Sequence, residues 1–207
     1  MKKSFIGLAA LAALASGSAF AQKAGDWVVG GGWMHFAPQD SSEPLTLTSP
    51  VRATAYGSGA SVKDSDTLGL HATYFLDSNW ALEGVVGIPP KFKLEGEGTL
   101  AGAGELGDAR QWSPAILAKY YFGSGDAAFR PYVGIGATYI WYSDINLTPS
   151  LQAATGRLIG QRPGATRTSG DLDGSFAPVF NIGASYQFDQ HWGMAVSVSY
   201  IPVKTTA

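Results

Sequence analysis

The chain has 207 residues and a formal net charge of −2, so it suits a single domain and gives no basis for binding a polyanion. Charged residues make up only 14% of the sequence, well below the roughly one quarter that is usual in soluble domains. The sequence has no cysteine, which excludes a disulfide framework, a thiol nucleophile and a thiolate metal site. We therefore expect neither a nucleic-acid partner nor cysteine chemistry.

The start of the chain has the three regions of a secretory signal peptide. Two lysines precede an apolar run from Phe5 to Ala15, and Ala19–Ala21 has small residues on both sides of a phenylalanine. The apolar run is too short to span a bilayer comfortably, which disfavours an N-terminal anchor helix. The sequence therefore predicts a signal peptide at residues 1–21 and a mature chain, residues 22–207, outside the cytoplasm.

Beyond the signal peptide, apolar residues alternate with other residues at a period of two, which indicates β-strands. Seven segments of roughly ten residues have this pattern. The predicted strands are Asp26–Ala37, Asp66–Leu76, Trp80–Ile88, Gln111–Phe122, Phe129–Tyr142, Ser175–Phe188 and Trp192–Ile201. One short helix is predicted at Pro149–Ala154, with Thr148 as its N-cap.

The connections between the predicted strands alternate between short and long. The short connections are Asp77–Asn79, Gly123–Ala128 and Asp189–His191. The long connections, read as polar loops, are Pro38–Ser65, Pro89–Arg110 and Ser143–Gly174. This alternation is typical of an up-and-down antiparallel meander whose two ends face different surroundings.

One face of every predicted strand carries no charged residue. In Phe129–Tyr142 this face holds Val133, Ile135 and Ala137, whereas the opposite face holds small residues such as Gly134. Two architectures fit such a pattern. In a soluble sandwich or barrel the apolar face points inward, whereas in an outer-membrane barrel it points into lipid.

The positions of the aromatic residues favour the membrane barrel. Tryptophan and tyrosine concentrate near both ends of the strands, while valine, isoleucine, leucine, alanine and glycine fill the middle. Two such belts are expected where indole and phenol rings meet lipid headgroups on both sides of a membrane. The predicted fold is therefore all-β, an up-and-down antiparallel transmembrane β-barrel in the bacterial outer membrane.

Four stretches in the same order resemble the outer-membrane protein W (OmpW) family. They are "GDWVVGGGWMHFAPQDSS" at Gly25–Ser42, "LGLHATYFLDSNWALE" at Leu68–Glu83, "FRPYVGIGATY" at Phe129–Tyr139 and "SYQFDQHWGMAVSVSYIPVKT" at Ser185–Thr205. The resemblance implies an eight-stranded barrel with a narrow, largely hydrophobic lumen. It also implies passage of small hydrophobic molecules, with lateral exit into the bilayer, and for some members a role as receptor for bacteriocins or phage.

The chain departs from the family pattern at two places. Gly30 stands where the family usually has a basic residue, so one lumen charge is missing. The family also ends in a last strand with a terminal aromatic residue, whereas this chain stops at Lys204–Ala207. Bacterial single-chain barrels have even strand numbers, so eight strands are expected and seven are identifiable. A truncated record with its C-terminal strand missing is favoured over a natural seven-stranded barrel or a partner that supplies the eighth strand.

Three charged residues fall on the inner face near the short connections. Antiparallel pairing brings Glu83 and Lys119 together, and Arg130 opens the next strand on the same face. We predict that they form a polar plug at the periplasmic end of the lumen. The alternative is that these groups only satisfy each other inside a small barrel.

Toward the long connections the inner face is more apolar. The residues predicted to line the lumen there are Met34, Phe36, Ile140, Tyr142, Val179 and Ile201. They would suit the entry path of a hydrophobic solute. The alternative is ordinary packing in a barrel that its own side chains fill.

The sequence gives no support for catalysis, a cofactor or a metal. His35, His71 and His191 lie on separate elements, and no serine, histidine and aspartate share an interpretable spacing. The leading functional hypothesis is a monomeric outer-membrane channel, surrounded by lipid, for passive passage of small hydrophobic molecules. The alternative is a structural or recognition barrel whose long loops bind external ligands such as bacteriocins or phage. An outer-membrane enzyme is a third class, without a polar cluster to support it.

Overall fold

The computed structural model describes residues 5–7, 22–39, 46–47, 53–54, 57–151, 153, 174–189 and 191–203. Thirteen strands are present in these residues. They are β1 (Phe5–Gly7), β2 (Trp27–Phe36), β3 (Thr46–Leu47), β4 (Ala53–Thr54), β5 (Ser58–Val62), β6 (Ser65–Phe75), β7 (Trp80–Gly87), β8 (Lys91–Gly98), β9 (Glu105–Trp112), β10 (Ala115–Tyr121), β11 (Phe129–Leu147), β12 (Ser175–Gln187) and β13 (Gly193–Ile201). A short 3₁₀ helix, Ala101–Ala103, lies between β8 and β9. No helix in the described residues combines the length and the apolar character needed to cross a bilayer.

Seven of these strands form one antiparallel sheet in chain order. The order is β2, β6, β7, β10, β11, β12 and β13, and each strand pairs with its sequence neighbour in that set. Each lies within one of the seven predicted strands or overlaps most of it. The prediction of an all-β, up-and-down antiparallel architecture is confirmed.

The place beside β13 is taken by β1, which pairs antiparallel with it from Phe5 opposite Ile201 to Gly7 opposite Ser199. β1 comes close to β2, but no hydrogen-bonded ladder joins them in the described residues, so the sheet is not closed there. β1 belongs to the stretch predicted as a signal peptide, and that boundary stays a prediction. The eighth strand that the resemblance implies also stays a prediction, since residues 204–207 lie outside the described part of the chain.

The outer face of the seven strands is apolar and exposed. Leu70 in β6, Ile116 in β10 and Ile182 in β12 each leave more than 60% of their surface uncovered. Aromatic pairs lie at the strand ends, among them Trp27 with Tyr74, whose ring centroids are 5.0 Å apart. Exposed apolar surface of this extent is unfavourable in water, and it fits a wall that faces acyl chains.

Two of the short turns have the same construction, in which an aspartate binds the backbone of a tryptophan at the start of the next strand. In the turn between β6 and β7, Oδ1 of Asp77 accepts hydrogen bonds from the backbone N–H of Asn79 and of Trp80, both at 2.7 Å. The turn between β12 and β13 repeats this construction, with Asp189 accepting from the N–H of Trp192 at 2.8 Å. The pattern Asp-x-x-Trp therefore closes the turn and starts the next strand.

Two of the predicted long loops are wrong in part, because they contain strands. β5 pairs with β8, and β8 pairs with β9, so the sheet continues beyond the ends of β6, β7 and β10. These strands carry charged outer residues, and their ion pairs include Lys93 with Glu105 at 2.9 Å. An outer face without charge is required only within lipid, so the pattern that identified the seven strands does not apply to them.

The predicted fourth strand, Gln111–Phe122, is broken in the structure. β9 ends at Trp112 and β10 begins at Ala115. Pro114 lies in the break because it has no N–H for a ladder, and its carbonyl oxygen accepts from Oγ1 of Thr138 at 2.8 Å. β9 then pairs with the segment of β11 from Trp141 to Leu147. The prediction that this strand ends at Tyr142 is therefore wrong by five residues.

The predicted helix is found at the edge of the described residues. Residues 149–151 and 153 are helical, and Oγ1 of Thr148 accepts from the N–H of Leu151 at 3.4 Å, as expected of an N-cap. Leu151 is buried against Leu100 and Leu106. A small apolar core thus holds together the extension formed by β5, β8 and β9. Residues 154–173 lie outside the described residues.

Candidate functional site

The inner face of the sheet surrounds a cavity of about 110 Å³. Its wall is formed by side chains from β2, β6, β7, β10, β11, β12 and β13, the same seven strands. We call the end near the connections 76–79, 122–128 and 188–192 the short-turn end, and the opposite end, from which β5, β8 and β9 extend, the long-hairpin end. Outer-membrane barrels place their short turns in the periplasm.

A buried ion pair crosses the lumen near the short-turn end. Nζ of Lys119 in β10 lies 2.6 Å from Oε1 of Glu83 in β7, and both side chains are less than 10% exposed. Oγ1 of Thr73 in β6 donates to the other carboxylate oxygen, Oε2, at 2.9 Å. Nδ1 of His71 lies 3.5 Å from that same oxygen. Three side chains from the two strands beside β7 therefore satisfy one carboxylate, as a buried charge requires.

Two tyrosines separate this ion pair from the third predicted plug residue. The ring centroids of Tyr121 and Tyr132 are 4.9 Å apart, and Phe75 packs against Tyr121. Nζ of Lys119 lies 4.3 Å from the centroid of Tyr132, and the guanidinium carbon of Arg130 lies 5.3 Å from that of Tyr121. The two cations thus lie against two rings that pack together at an interplanar angle of 44°, an arrangement that attracts them to the ring faces.

Arg130 is fixed by the turns below it. Its Nη1 donates to Oε1 of Gln22 at 2.6 Å, and its Nη2 donates to the carbonyl oxygen of Ser78 at 2.6 Å. Further bonds reach the carbonyl oxygens of Tyr121 and Phe122. Only 1% of Arg130 is exposed. This guanidinium therefore ties the predicted first mature residue to the turns, and it makes no contact with Glu83 among the described interactions.

The structure places the three predicted plug residues on the inner face at the short-turn end, but in two layers rather than one. Arg130 forms the layer nearer the short turns, and Glu83 and Lys119 form the layer farther from them. Sequence reasoning missed the tyrosine pair between them. Both Tyr121 and Tyr132 alternate with the apolar positions of their strands, and this signal could have found them.

The residues predicted to line the other half of the lumen fall into two groups. Met34, Phe36, Val179 and Ile201 lie on the cavity wall. Ile140 instead packs into a buried apolar cluster with Ala177 and Val203, against which Tyr142 and Ile201 also pack. The long-hairpin half therefore combines an apolar cavity wall with a buried apolar cluster beside it.

Glycines make room for the larger side chains that cross the lumen. A Cβ added at Gly69 would lie 2.1 Å from the sulfur of Met34, which covers this glycine. A Cβ added at Gly134 would lie 3.1 Å from Cγ of Lys119. The stem of Lys119 therefore lies close to Gly134 of β11, and a side chain at that position would require it to shift by a few tenths of an ångström.

Outside the membrane-spanning part, the charges of the extension stabilise one another. The hydrogen bond and charge of Glu105 raise the pKa of Lys93, and those of Glu95 raise the pKa of Lys63. These pairs are half exposed, so each contributes little to stability. In the described residues, no group of three or more His, Asp or Glu is arranged to hold a metal ion.

Comparison with known proteins supports the architecture and the cellular location. A family model described as "OmpW family" matches residues 23–207. The chain is similar to outer membrane protein W of Vibrio cholerae, with 31% identity over all of this chain and 87% of that protein. It is also similar to the crystal structure of the outer membrane protein OprG from Pseudomonas aeruginosa, with a TM-score of 0.70, 26% identity, and coverage of 90% of this chain and 93% of that one.

A more distant relative has a name that refers to metabolism. It is the dibenzothiophene metabolism operon protein PahQ of Pseudomonas aeruginosa, which is 26% identical over 151 residues. The match covers 73% of this chain and 63% of that protein.

Proposed function

This chain belongs to the OmpW family and is an outer-membrane β-barrel protein, and from that premise we propose that it forms, as a monomer, a channel for passive passage of small hydrophobic molecules. The observation that carries the proposal is the apolar wall of the long-hairpin half of the lumen. Met34, Phe36, Val179 and Ile201 line a cavity there, inside a barrel whose outer face meets lipid. An apolar cavity inside an apolar wall favours solutes that partition out of water.

The name of one relative supports this class of solute. PahQ is named for the metabolism of dibenzothiophene, a three-ring aromatic sulfur compound without a hydrogen-bond donor. A compound of this kind dissolves poorly in water and gains free energy when its surface is buried. The lumen of this chain has the apolar lining that such a molecule requires, although its described cavity holds only a small solute.

Uptake by intact cells tests the channel. The full chain is expressed in a Gram-negative host lacking its own member of this family, and entry of 1-N-phenylnaphthylamine is followed by its fluorescence. Expression should raise the entry rate, and Val179→Trp, which fills the cavity, should lower it again. The matched control is Val196→Trp on the lipid-facing side of β13, which should leave uptake unchanged. Equal uptake with and without the chain, at equal amounts of folded protein, would contradict the proposal.

The polar layers at the short-turn end bear on where the solute leaves. We assign to Glu83 and Lys119 part of a plug, because their ion pair and the two tyrosines narrow the cavity on the side where Arg130 lies. The test is the double variant Glu83→Gln with Lys119→Met, which removes both charges and keeps the volume. A changed uptake rate supports a gating role, whereas unchanged uptake would mean that the pair is only structural.

A second function is favoured by the extension at the long-hairpin end. β5, β8 and β9 form a sheet with its own core around Leu100 and Leu106, so the segments predicted as loops present an ordered surface. An ordered surface loses less conformational entropy on binding than a flexible loop does. The alternative is therefore a barrel without transport that recognises an external ligand such as a bacteriocin or a phage.

Destabilising the extension separates the two functions. Leu106 is fully buried there, and Leu106→Ala should loosen this surface without touching the lumen. If recognition is the function, the variant should lose phage adsorption or bacteriocin sensitivity while 1-N-phenylnaphthylamine uptake stays at the level of the parent chain. If passage is the only function, neither readout should depend on it.

A further inference from the structure

Two buried hydrogen-bond acceptors face the lumen without a partner. Nε2 of His71 and Oδ1 of Asn181 make no hydrogen bond within the described residues, although both residues are more than 90% buried. Both line the same cavity, from opposite parts of the sheet, β6 and β12. An unsatisfied polar atom in such a place costs free energy, and native structures seldom carry one without a reason.

The contacts of His71 assign its two ring nitrogens different roles. Nδ1 lies 3.5 Å from Oγ1 of Thr73 and 3.5 Å from Oε2 of Glu83. The hydroxyl hydrogen of Thr73 is already donated to Glu83, so both of these oxygens can only accept. Nδ1 therefore carries the hydrogen, and in the neutral ring Nε2 presents a lone pair to the lumen.

The amide of Asn181 is oriented in the same unambiguous way. Its Nδ2 donates to Oγ of Ser199 at 2.8 Å and to the carbonyl oxygen of Val198 at 3.3 Å. A carbonyl oxygen accepts only, so the nitrogen must be the atom on that side. Oδ1 is left as an acceptor beside the cavity. His71 and Asn181 thus each bring to the cavity wall one acceptor that has no donor among the described residues.

The cavity continues from these acceptors into an apolar region. Leu117 and Val85 line it at the middle of the barrel, and Met34, Val179 and Ile201 line it toward the long-hairpin end. A molecule that matches this surface has a hydrogen-bond donor at one end and an apolar chain at the other. An alkane or an ether would leave both acceptors unsatisfied, whereas the single O–H of an alcohol would satisfy one of them.

We propose that His71 and Asn181 form a subsite for the hydroxyl end of a small amphiphile, such as a primary alcohol, whose chain lies along the apolar half of the lumen. The inference rests on the proposed function, because it describes where a solute of the channel pauses and which solutes the channel favours. It adds a specificity that the apolar lining alone does not give, since hydrophobic walls discriminate weakly between a hydroxyl and its isostere.

Two isomers test the subsite with nothing changed but the donor. 1-Octanol and heptyl methyl ether have the same atoms, but only the alcohol can donate a hydrogen bond. The full chain, labelled with ¹⁵N-histidine and held in lipid nanodiscs, is titrated with each at equal mole fraction in the bilayer. Both titrations are run at the same fixed pH.

The expected result is specific to one nitrogen. The alcohol should shift the Nε2 resonance of His71, and it should bind about tenfold more tightly than the ether, as expected for one added hydrogen bond to a buried acceptor. His35 and His191 serve as internal references: His35 stacks on Trp33 on the outer face, and His191 lies in a short turn. Their resonances should not move.

Variants locate the effect. Asn181→Leu removes one acceptor and keeps the volume, so it should reduce the preference for the alcohol. The control is Ser185→Ala, a cavity residue whose hydroxyl already donates to the carbonyl oxygen of Arg130, and it should keep the preference. If Asn181→Leu does not fold, the comparison of the two isomers in the parent chain still decides.

Loss of the subsite and loss of the channel would be seen in different measurements. Equal binding of the two isomers, or an equal shift of Nε2 with both, would overturn the subsite, and 1-N-phenylnaphthylamine uptake at the expected rate would leave the channel standing. Conversely, a shift of His71 confined to the alcohol supports the subsite even if uptake by cells fails.

Discussion

The two halves of the lumen are built on different physical principles. At the short-turn end, Glu83, Lys119 and Arg130 are buried in a network of hydrogen bonds and aromatic contacts. At the long-hairpin end, Ile140 and its neighbours are held by apolar packing. A charged network is costly when it loses one member, whereas an apolar wall loses free energy in proportion to the volume removed. The halves should therefore respond differently to substitution.

The largest effect is expected from Lys119→Met. This variant leaves the Glu83 carboxylate buried without a cation, which should lower the free energy of unfolding by about 3–5 kcal/mol. Urea unfolding in lipid vesicles, followed by tryptophan fluorescence, measures the change. The double variant with Glu83→Gln removes the unpaired charge and should recover most of the loss. A single variant as stable as the parent chain would show that the network is not the source of stability at this end.

At the other end, Ile140→Ala should cost about 2–5 kcal/mol, because the removed side chain is almost fully buried and leaves a cavity. Ile135→Ala in the same strand is the matched control, since that side chain faces lipid and is more than half exposed. The same unfolding assay applies. Equal losses at the two positions would contradict the assignment of inner and outer faces in β11.

Between the two halves, Gly136 of β11 lies opposite Leu117 of β10. An added Cβ would lie 2.0 Å from the carbonyl oxygen of Ile116 and 2.7 Å from Cα of Leu117, so Gly136→Ala should destabilise the barrel by about 1–3 kcal/mol. Gly84→Ala is the control, because nothing lies within 4 Å of its added Cβ. If both alanines fold equally well, the close approach at Gly136 does not constrain the wall.

The smallest effect is expected at the short turns, and it depends on pH. Hydrogen bonds from the N–H of Trp80 and Asn79 lower the pKa of Asp77, and those from His191 and Trp192 lower the pKa of Asp189. A carboxylate whose pKa is lower in the folded state stabilises it above the unfolded pKa of about 3.9. This contribution is lost as the pH falls through the folded pKa.

Substitution separates the charge from the hydrogen bonds. Asp189→Asn keeps an oxygen that can accept both N–H groups, so it should remove only the acid dependence of stability below about pH 4. Asp189→Ala removes the bonds as well and should weaken the turn at every pH. Acid titration of the folded fraction, read from the mobility of unheated samples on gels, measures both. An acid midpoint that stays the same in the asparagine variant would exclude Asp189 as a contributor.

The sequence predicted the barrel strands well because lipid imposes a simple rule on them. Every residue that faces acyl chains must be uncharged, so the outer face could be followed from Val133 to Ile135 and Ala137 without knowledge of the fold. The same rule does not apply beyond the headgroups. β5, β8 and β9 have ion pairs on their outer surface and were read as loops.

The sequence predicted which residues lie on the inner face, but not which of their side chains contact each other. Alternation placed Glu83, Lys119 and Arg130 on that face, and antiparallel register brought the first two together. It could not show that Arg130 turns toward Gln22, because that contact spans 108 residues of sequence. Nor could it show that Tyr121 and Tyr132 pack against each other between the cations.

The sequence by itself thus determined the strand order, the two faces and the membrane environment, since all three follow from local alternation and from the chemistry of the residues that meet lipid. The tertiary structure decided which inner side chains meet. It gave the carboxylate of Glu83 its three partners and left Nε2 of His71 and Oδ1 of Asn181 free to face the lumen. Such contacts depend on how seven strands curve around a common axis, and no local pattern in the chain records that curvature.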